Sequence, residues 1–232
     1  MKIEFFHDVI CSFCFPMSYR MRQIKERYPN VDIIHRSFAL AWESDDLANQ
    51  FGSRDNAKNE ILKHWEHANE NDDLHRFNIS GMKEASFQFP TSKPALLAAT
   101  AAKIIGGDAA YWNVFDSLQN KLFVENKNIE DINIIREVII QNNIDWLTFE
   151  PIFTSEETEK KVFDDIKLAQ EYNIHGAPFL VINEKYGING AQSIEVIQET
   201  IEKIAEEEHE PLILIENGST CSLDKNGTWV CE

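Results

Sequence analysis

The sequence predicts an α/β fold in which a block of helices interrupts a small sheet. Three observations predict it. Residues 2–9 (Lys-Ile-Glu-Phe-Phe-His-Asp-Val) and 31–38 are apolar runs of strand length, separated by a segment of helical periodicity. Residues 39–154 show no strand-like alternation. Residues 179–182 and 186–188 are short strands with three residues between them, which makes an antiparallel hairpin. The predicted order is β-α-β, helical insert, α-β-β-α.

Taken in order, the first strand runs into Cys11-Ser12-Phe13-Cys14, where a helix is expected to begin. Met17, Met21, Ile24 and Tyr28 recur at helical spacing and give it one buried stripe. Pro16 falls early in that helix, where a missing N–H is tolerated. Pro29-Asn30 marks a turn before the second strand, which a helical crossover makes parallel to the first. Residues 39–53 read as a loop leaving the sheet. A helix follows over 54–71, with Ile61, Leu62 and Trp65 on its apolar side, and 72–92 read as irregular. Pro94 opens a helix over 95–105 that Gly106-Gly107 ends, and Asp108 can cap the next. Helices are expected at 129–141 and, after Ser155, to about 172, with a short segment at 146–153. A last helix covers 194–207. The predicted division is 1–38 with 155–207 as the α/β domain, 39–154 as the helical insertion and 208–232 as an extension.

Two cysteines with two residues between them suit a dithiol–disulfide pair. At the open end of a helix, Cys11 meets unpaired backbone N–H groups that favour a thiolate, and Cys14 lies one turn deeper within bonding reach. Cys11 is the expected exposed nucleophile and Cys14 the resolver. A CxxC is also half of a zinc site. The remaining cysteines, Cys221 and Cys231, lie at the far end of the chain, so no metal is expected.

The chain has 232 residues, 43% hydrophobic and 26% charged, with a formal net charge of −17. That charge argues against nucleic acid as a partner. The first residues carry Glu4, His7 and Asp8 where a secretory signal needs an apolar core, and no apolar run reaches membrane-spanning length. A cytoplasmic protein is expected, where a CxxC is catalytic or redox-sensing rather than a structural staple.

The order of elements, with CxxC at the first helix and Gly176-Ala-Pro-Phe-Leu-Val-Ile182 at the third strand, resembles the thioredoxin fold. The helical insert resembles that of the DsbA group. Asp8-Val-Ile-Cys-Ser-Phe-Cys14 and Gly190-Ala-Gln192 resemble its FrnE-like branch. The resemblance implies a thiol–disulfide oxidoreductase or protein disulfide isomerase working by mixed-disulfide exchange. It implies protein disulfide substrates, no cofactor beyond the dithiol, and glutathione or another thiol as electron donor. It also implies that Pro178 is a cis-proline facing the active cysteine, with Ala177 offering backbone to an extended substrate. Kappa-class glutathione transferases share this fold with Ser at the first cysteine position, and Cys11 with Cys14 argues against that branch. The alternatives are a non-catalytic adaptor using the same cleft, or a glutathione-dependent transferase or isomerase. The chain is expected as monomer or homodimer.

Three further residues are candidates for tuning. A protonated His7 would stabilise the Cys11 thiolate, although a histidine there more often just finds a partner at a strand end. Glu4 would relay a proton to Cys14 if it points under the motif, and His175 would line the site. In the tail, Asn226-Gly227 signals a hairpin. A three-residue loop puts Cys221 opposite Cys231 and Leu223 opposite Trp229, whereas a two-residue loop puts the cysteines on opposite faces. The pair is a second redox couple, a structural link or two free thiols.

Overall fold

The structure is a computed structural model describing residues 1–208 and the backbone of two strands at 221–223 and 229–231. The chain divides into two compact units, Met1–Gln198 and Glu199–Glu232. In the first unit, β1 (Lys2–His7), β2 (Asp32–Ser37), β3 (Phe179–Ile182) and β4 (Tyr186–Asn189) form one sheet in the order β2-β1-β3-β4. β1 and β2 are parallel, with Phe5 opposite His35, while β3 runs antiparallel to both β1 and β4. This is the predicted α/β frame with the thioredoxin topology.

The central strand β1 is buried on both faces. Ile3, Phe5 and His7 point one way along β1 while Glu4 and Phe6 point the other, and all five are buried. The outer edge of β2 is covered by side chains. Asp108 accepts the His35 N–H at 3.3 Å, Lys103 donates to the His35 carbonyl at 3.0 Å, and Asp165 accepts the Ser37 N–H at 3.0 Å. Those groups are therefore unavailable to another strand.

The helix after the CxxC, α1 (Cys14–Arg27), starts three residues later than the sequence suggests. Cys11 lies before it, in a turn closed by the Cys11 N–H to Asp8 carbonyl bond at 3.2 Å and the Cys14 N–H to Cys11 carbonyl bond at 3.1 Å. Cys14, Met17, Met21 and Ile24 make its fully buried stripe.

The insertion contains two helices that sequence periodicity does not show. α2 (Ser44–Phe51) occupies the predicted loop and is closed by a reciprocal capping box between Glu43 and Asp46. α3 (Arg54–Asn71) follows as predicted. α4 (Ile79–Glu84) sits in the predicted irregular stretch, where the Asn78 side chain caps the Gly81 N–H. α5 (Lys93–Phe123) joins the two predicted helices across a kink, with Gly107 at φ +73°, ψ −166°. α6 (Ile132–Gln141), α7 (Trp146–Phe153) and α8 (Glu156–Glu171) begin at Asp131, Asp145 and Ser155, each of whose side chains accepts a backbone N–H of the first turn.

Both sulfurs belong to a buried cluster that extends through the insertion. Phe15 of α1 meets Phe77 at 5.4 Å and Phe123 at 5.2 Å, and Trp65 meets Phe123 at 4.9 Å. Trp65 and Trp112 are buried in the core, while Trp42 is half-buried.

α9 (Ile194–Glu208) begins in the first unit. In the second, β5 (Cys221–Leu223) pairs antiparallel with β6 (Trp229–Cys231), and Cys221 stands opposite Cys231. This is the register of a three-residue loop. The loop and the cysteine side chains, and with them any disulfide, lie outside the described residues.

Candidate functional site

The turn between β1 and α1 is held by Asp8, which follows the strand's last residue and points inward. Its carboxylate accepts the Ile10 N–H at 3.2 Å, the Leu40 N–H at 2.7 Å and the Ser92 hydroxyl at 2.6 Å. The Ser92 hydroxyl in turn accepts the Ala41 N–H at 3.1 Å. One side chain thus ties the CxxC turn to the start of the insertion at Leu40 and to the residue before α5 at Ser92. Burial pushes the Asp8 carboxyl up to about 6, against the pull of its donors.

Both cysteines are free thiols. Cys11 is 4% exposed and Cys14 is fully buried. Cys11 is therefore the more accessible of the two but is not an open surface group, because the insertion closes over the turn. The Cys11 thiol donates to the Ala177 carbonyl at 3.4 Å, and the Ala177–Pro178 bond is cis. Burial first, then the adjacent Cys11 thiol, pushes the Cys14 thiol well above the ordinary range. The Asp8 backbone N–H opposes this and the Asp8 carboxylate reinforces it.

The other predicted residues go elsewhere. Glu4 is not brought to the sulfurs. Its oxygens bond Arg36 at 2.6 and 2.9 Å and Tyr172 at 3.1 Å, because strand alternation turns it away from the His7 face. His7 is fully buried, stacked on Phe5 at 4.2 Å, with its Nε2 3.1 Å from His35 Nδ1. Burial first, then Lys103, holds its pKa well below the ordinary value, so it is neutral and supplies no cation to a thiolate. His175 is exposed and does not line the cleft beside Cys11.

That cleft, of about 250 Å³, lies between the Cys11 turn and the α2–α3 pair. Leu47, Phe51, Ile61 and Phe89 give it an apolar wall, Ser12, Gln50 and His64 are its polar side chains, and Ala177 lies at the Cys11 end. Sequence reasoning missed this role for the α2–α3 residues, since α2 was not visible. It also passed over Asp8 as the buried acid; the signal was an acid placed directly before the apolar pair Val9-Ile10 that leads to Cys11.

The arrangement offers one thiol at a cleft with a second beneath it, the layout that dithiol exchange requires. The ClpXP adapter protein SpxH of Bacillus subtilis is 24% identical over 219 residues, covering 91% of this chain and 70% of that protein. The cytosolic disulfide reductase DsbM of Pseudomonas aeruginosa, solved with GSH, superposes with a TM-score of 0.71 at 13% identity, covering 89% of this chain and 100% of that one. A 2-hydroxychromene-2-carboxylate isomerase superposes with a TM-score of 0.65 at 12% identity, covering 90% and 98%. The fold thus carries several activities, and the choice among them falls to the site residues. The model for the DSBA-like thioredoxin domain matches residues 2–202, and the chain belongs to that family.

Proposed function

We propose that the protein is a thiol–disulfide oxidoreductase acting on protein disulfides through Cys11 and Cys14. The observation that carries this is the free Cys11 thiol on the cleft wall with the buried Cys14 thiol next to it. In the reductive direction, Cys11 as thiolate attacks a substrate disulfide and expels one substrate sulfur, which takes up a proton. Cys14 then attacks the Cys11 sulfur and releases the second substrate thiol, leaving a Cys11–Cys14 disulfide. An external thiol such as glutathione reduces that disulfide and is itself oxidised. Isomerisation uses the same steps, with the substrate's own thiol displacing Cys11. Ala177 and Pro178 are the proposed substrate-facing backbone.

Reduction of insulin disulfides by glutathione or dithiothreitol tests the proposal. Acceleration by the wild type and none by Cys11→Ser is the expected outcome, and no acceleration by the wild type removes it. The likeness to an adapter protein favours a second proposal, a non-catalytic adaptor using the same cleft, which that negative result would support. A glutathione-dependent transferase or isomerase would be read by a conjugation assay. Residues 1–38 with 155–207, 39–154 and 208–232 are proposed as frame, insertion and extension. Cys221 and Cys231 are proposed as a linked pair, which alkylation and mass mapping would detect. Among the described residues no helix is long and apolar enough to cross a membrane. A cytoplasmic monomer or homodimer is proposed.

A further inference from the structure

We infer that a second pocket, at the outer edge of β2, binds the phosphoryl group of a small organic phosphate. It shares no lining residue with the cleft beside Cys11 and stands apart from the exchange function.

Placement comes first. β2 brings Arg36 to the pocket, α5 brings Thr100, Lys103 and Ile104 from one face, and α8 brings Lys161, Asp164 and Asp165 from one face. Three cations thus reach one concavity from three elements, in a chain whose net charge is −17. A phosphoryl group, with three acceptor oxygens, meets donors from three sides, whereas a planar carboxylate offers two oxygens. Bonding comes second, because the lining acids are engaged while donors stay open. Asp165 accepts from Arg36 and from the Ser37 N–H, each at 3.0 Å, and Asp164 takes Lys160 at 2.6 Å. Lys161 meets Glu157 at 3.6 Å, too far for a hydrogen bond. Arg36 is held by Glu4 and Asp165, and Lys103 by Asp108 and the His35 carbonyl, yet each keeps an N–H beyond those bonds. The Thr100 hydroxyl is buried and has no partner among the described residues. Size comes third. At about 350 Å³ the pocket falls at the low end of the roughly 300–1,000 Å³ of small-molecule sites. It leaves room beyond the phosphoryl group for a short carbon body against Ile104. Glu4 and Asp108 offset part of the attraction, so binding is weak.

The test titrates the full chain at pH 7.5 with inorganic phosphate, glycerol 3-phosphate and succinate. It follows the methyl resonances of Thr100 and Ile104, with sodium chloride at matched ionic strength as the blank. Both phosphates are expected to give saturable shifts, with a Kd of about 1 mM for inorganic phosphate. Glycerol 3-phosphate should bind at least as tightly, and succinate about fivefold more weakly or worse. Lys161→Ala, on an exposed helix face, should weaken inorganic phosphate about fivefold. Asp164→Asn removes a repelling charge and should tighten it about threefold, a gain that mere disturbance of the fold would not produce. Methyls that do not shift, or that shift equally with sodium chloride, overturn the site. An unchanged Kd in both variants overturns it as well. Succinate binding as tightly as glycerol 3-phosphate overturns the phosphoryl assignment. None of these readouts depends on the sulfurs, so a failure here leaves the exchange proposal standing.

Discussion

The thiol of Cys11 hydrogen-bonds the carbonyl oxygen of Ala177 at 3.4 Å, joining residues 166 positions apart in sequence. A thiolate has no proton to donate, so this bond belongs to the protonated sulfur and must be given up when the sulfur attacks. Cys14→Ser should then accumulate a Cys11 mixed disulfide with substrate, visible as a mass increase that reductant removes. Cys11→Ser should accumulate none, and an adduct there would reverse the roles.

The Asp8 carboxyl, at about 6 against an ordinary 3.8, links stability to pH in an unusual direction. Between these values the folded chain keeps a proton that the unfolded chain has released, so this contribution to stability falls as pH rises. At about 1.4 kcal/mol per unit the change approaches 3 kcal/mol by neutral pH. Asp8→Asn removes it. Urea midpoints at pH 4.5 and 7.5 should show the variant gaining on the wild type at the higher pH. The same variant removes a charge that raises the Cys14 thiol, so release of a mixed disulfide from Cys11 by Cys14 should move to lower pH, as stopped-flow resolution rates would show.

His7 and His35 act in the opposite sense. Burial keeps both neutral, with pKa values well below 6.5. Below that pH the unfolded chain binds protons that the folded chain refuses, so stability is lost as pH falls. The slope is about 1.4 kcal/mol per pH unit for each histidine. His7→Phe combined with His35→Leu removes both ends of their shared hydrogen bond together. Its unfolding free energy between pH 6 and 5 should be flatter than the wild type's by about 2 kcal/mol or more.

The α5 kink predicts a purely conformational cost. Gly107 has φ +73° and ψ −166°, a region closed to L side chains, and an added Cβ there meets no atom within 4 Å. Gly107→Ala should therefore cost about 1–3 kcal/mol through strain alone. Thermal unfolding measures the loss, and exchange activity at 25 °C should be unchanged.

Much of this was legible because it was local. Strands β3 and β4 and the start of α8 followed from hairpin length and from Ser155 as a cap. The missed elements depend on contacts that sequence spacing hides. α2 is eight residues long and closes with Glu43 and Asp46, an acidic pair that looks like a solvated loop. α4 is held by the Asn78 N–H to Phe123 carbonyl bond at 2.8 Å and by Asn126, more than forty residues away. At the site, the CxxC and Pro178 were plain, but the acid was misplaced. Glu4 keeps strand alternation and so turns to Arg36, whereas Asp8 lies just past the strand and is free to fold inward. No residue count separates those two outcomes without knowing where the strand stops.

The unequal depth of the two sulfurs gives the molecule a single doorway. Reagents, oxidants and partners can meet only the outer atom, and whatever reaches the inner one arrives already attached to its neighbour. Modification would thus proceed in sequence rather than at random, and plugging the entrance would silence both positions at once.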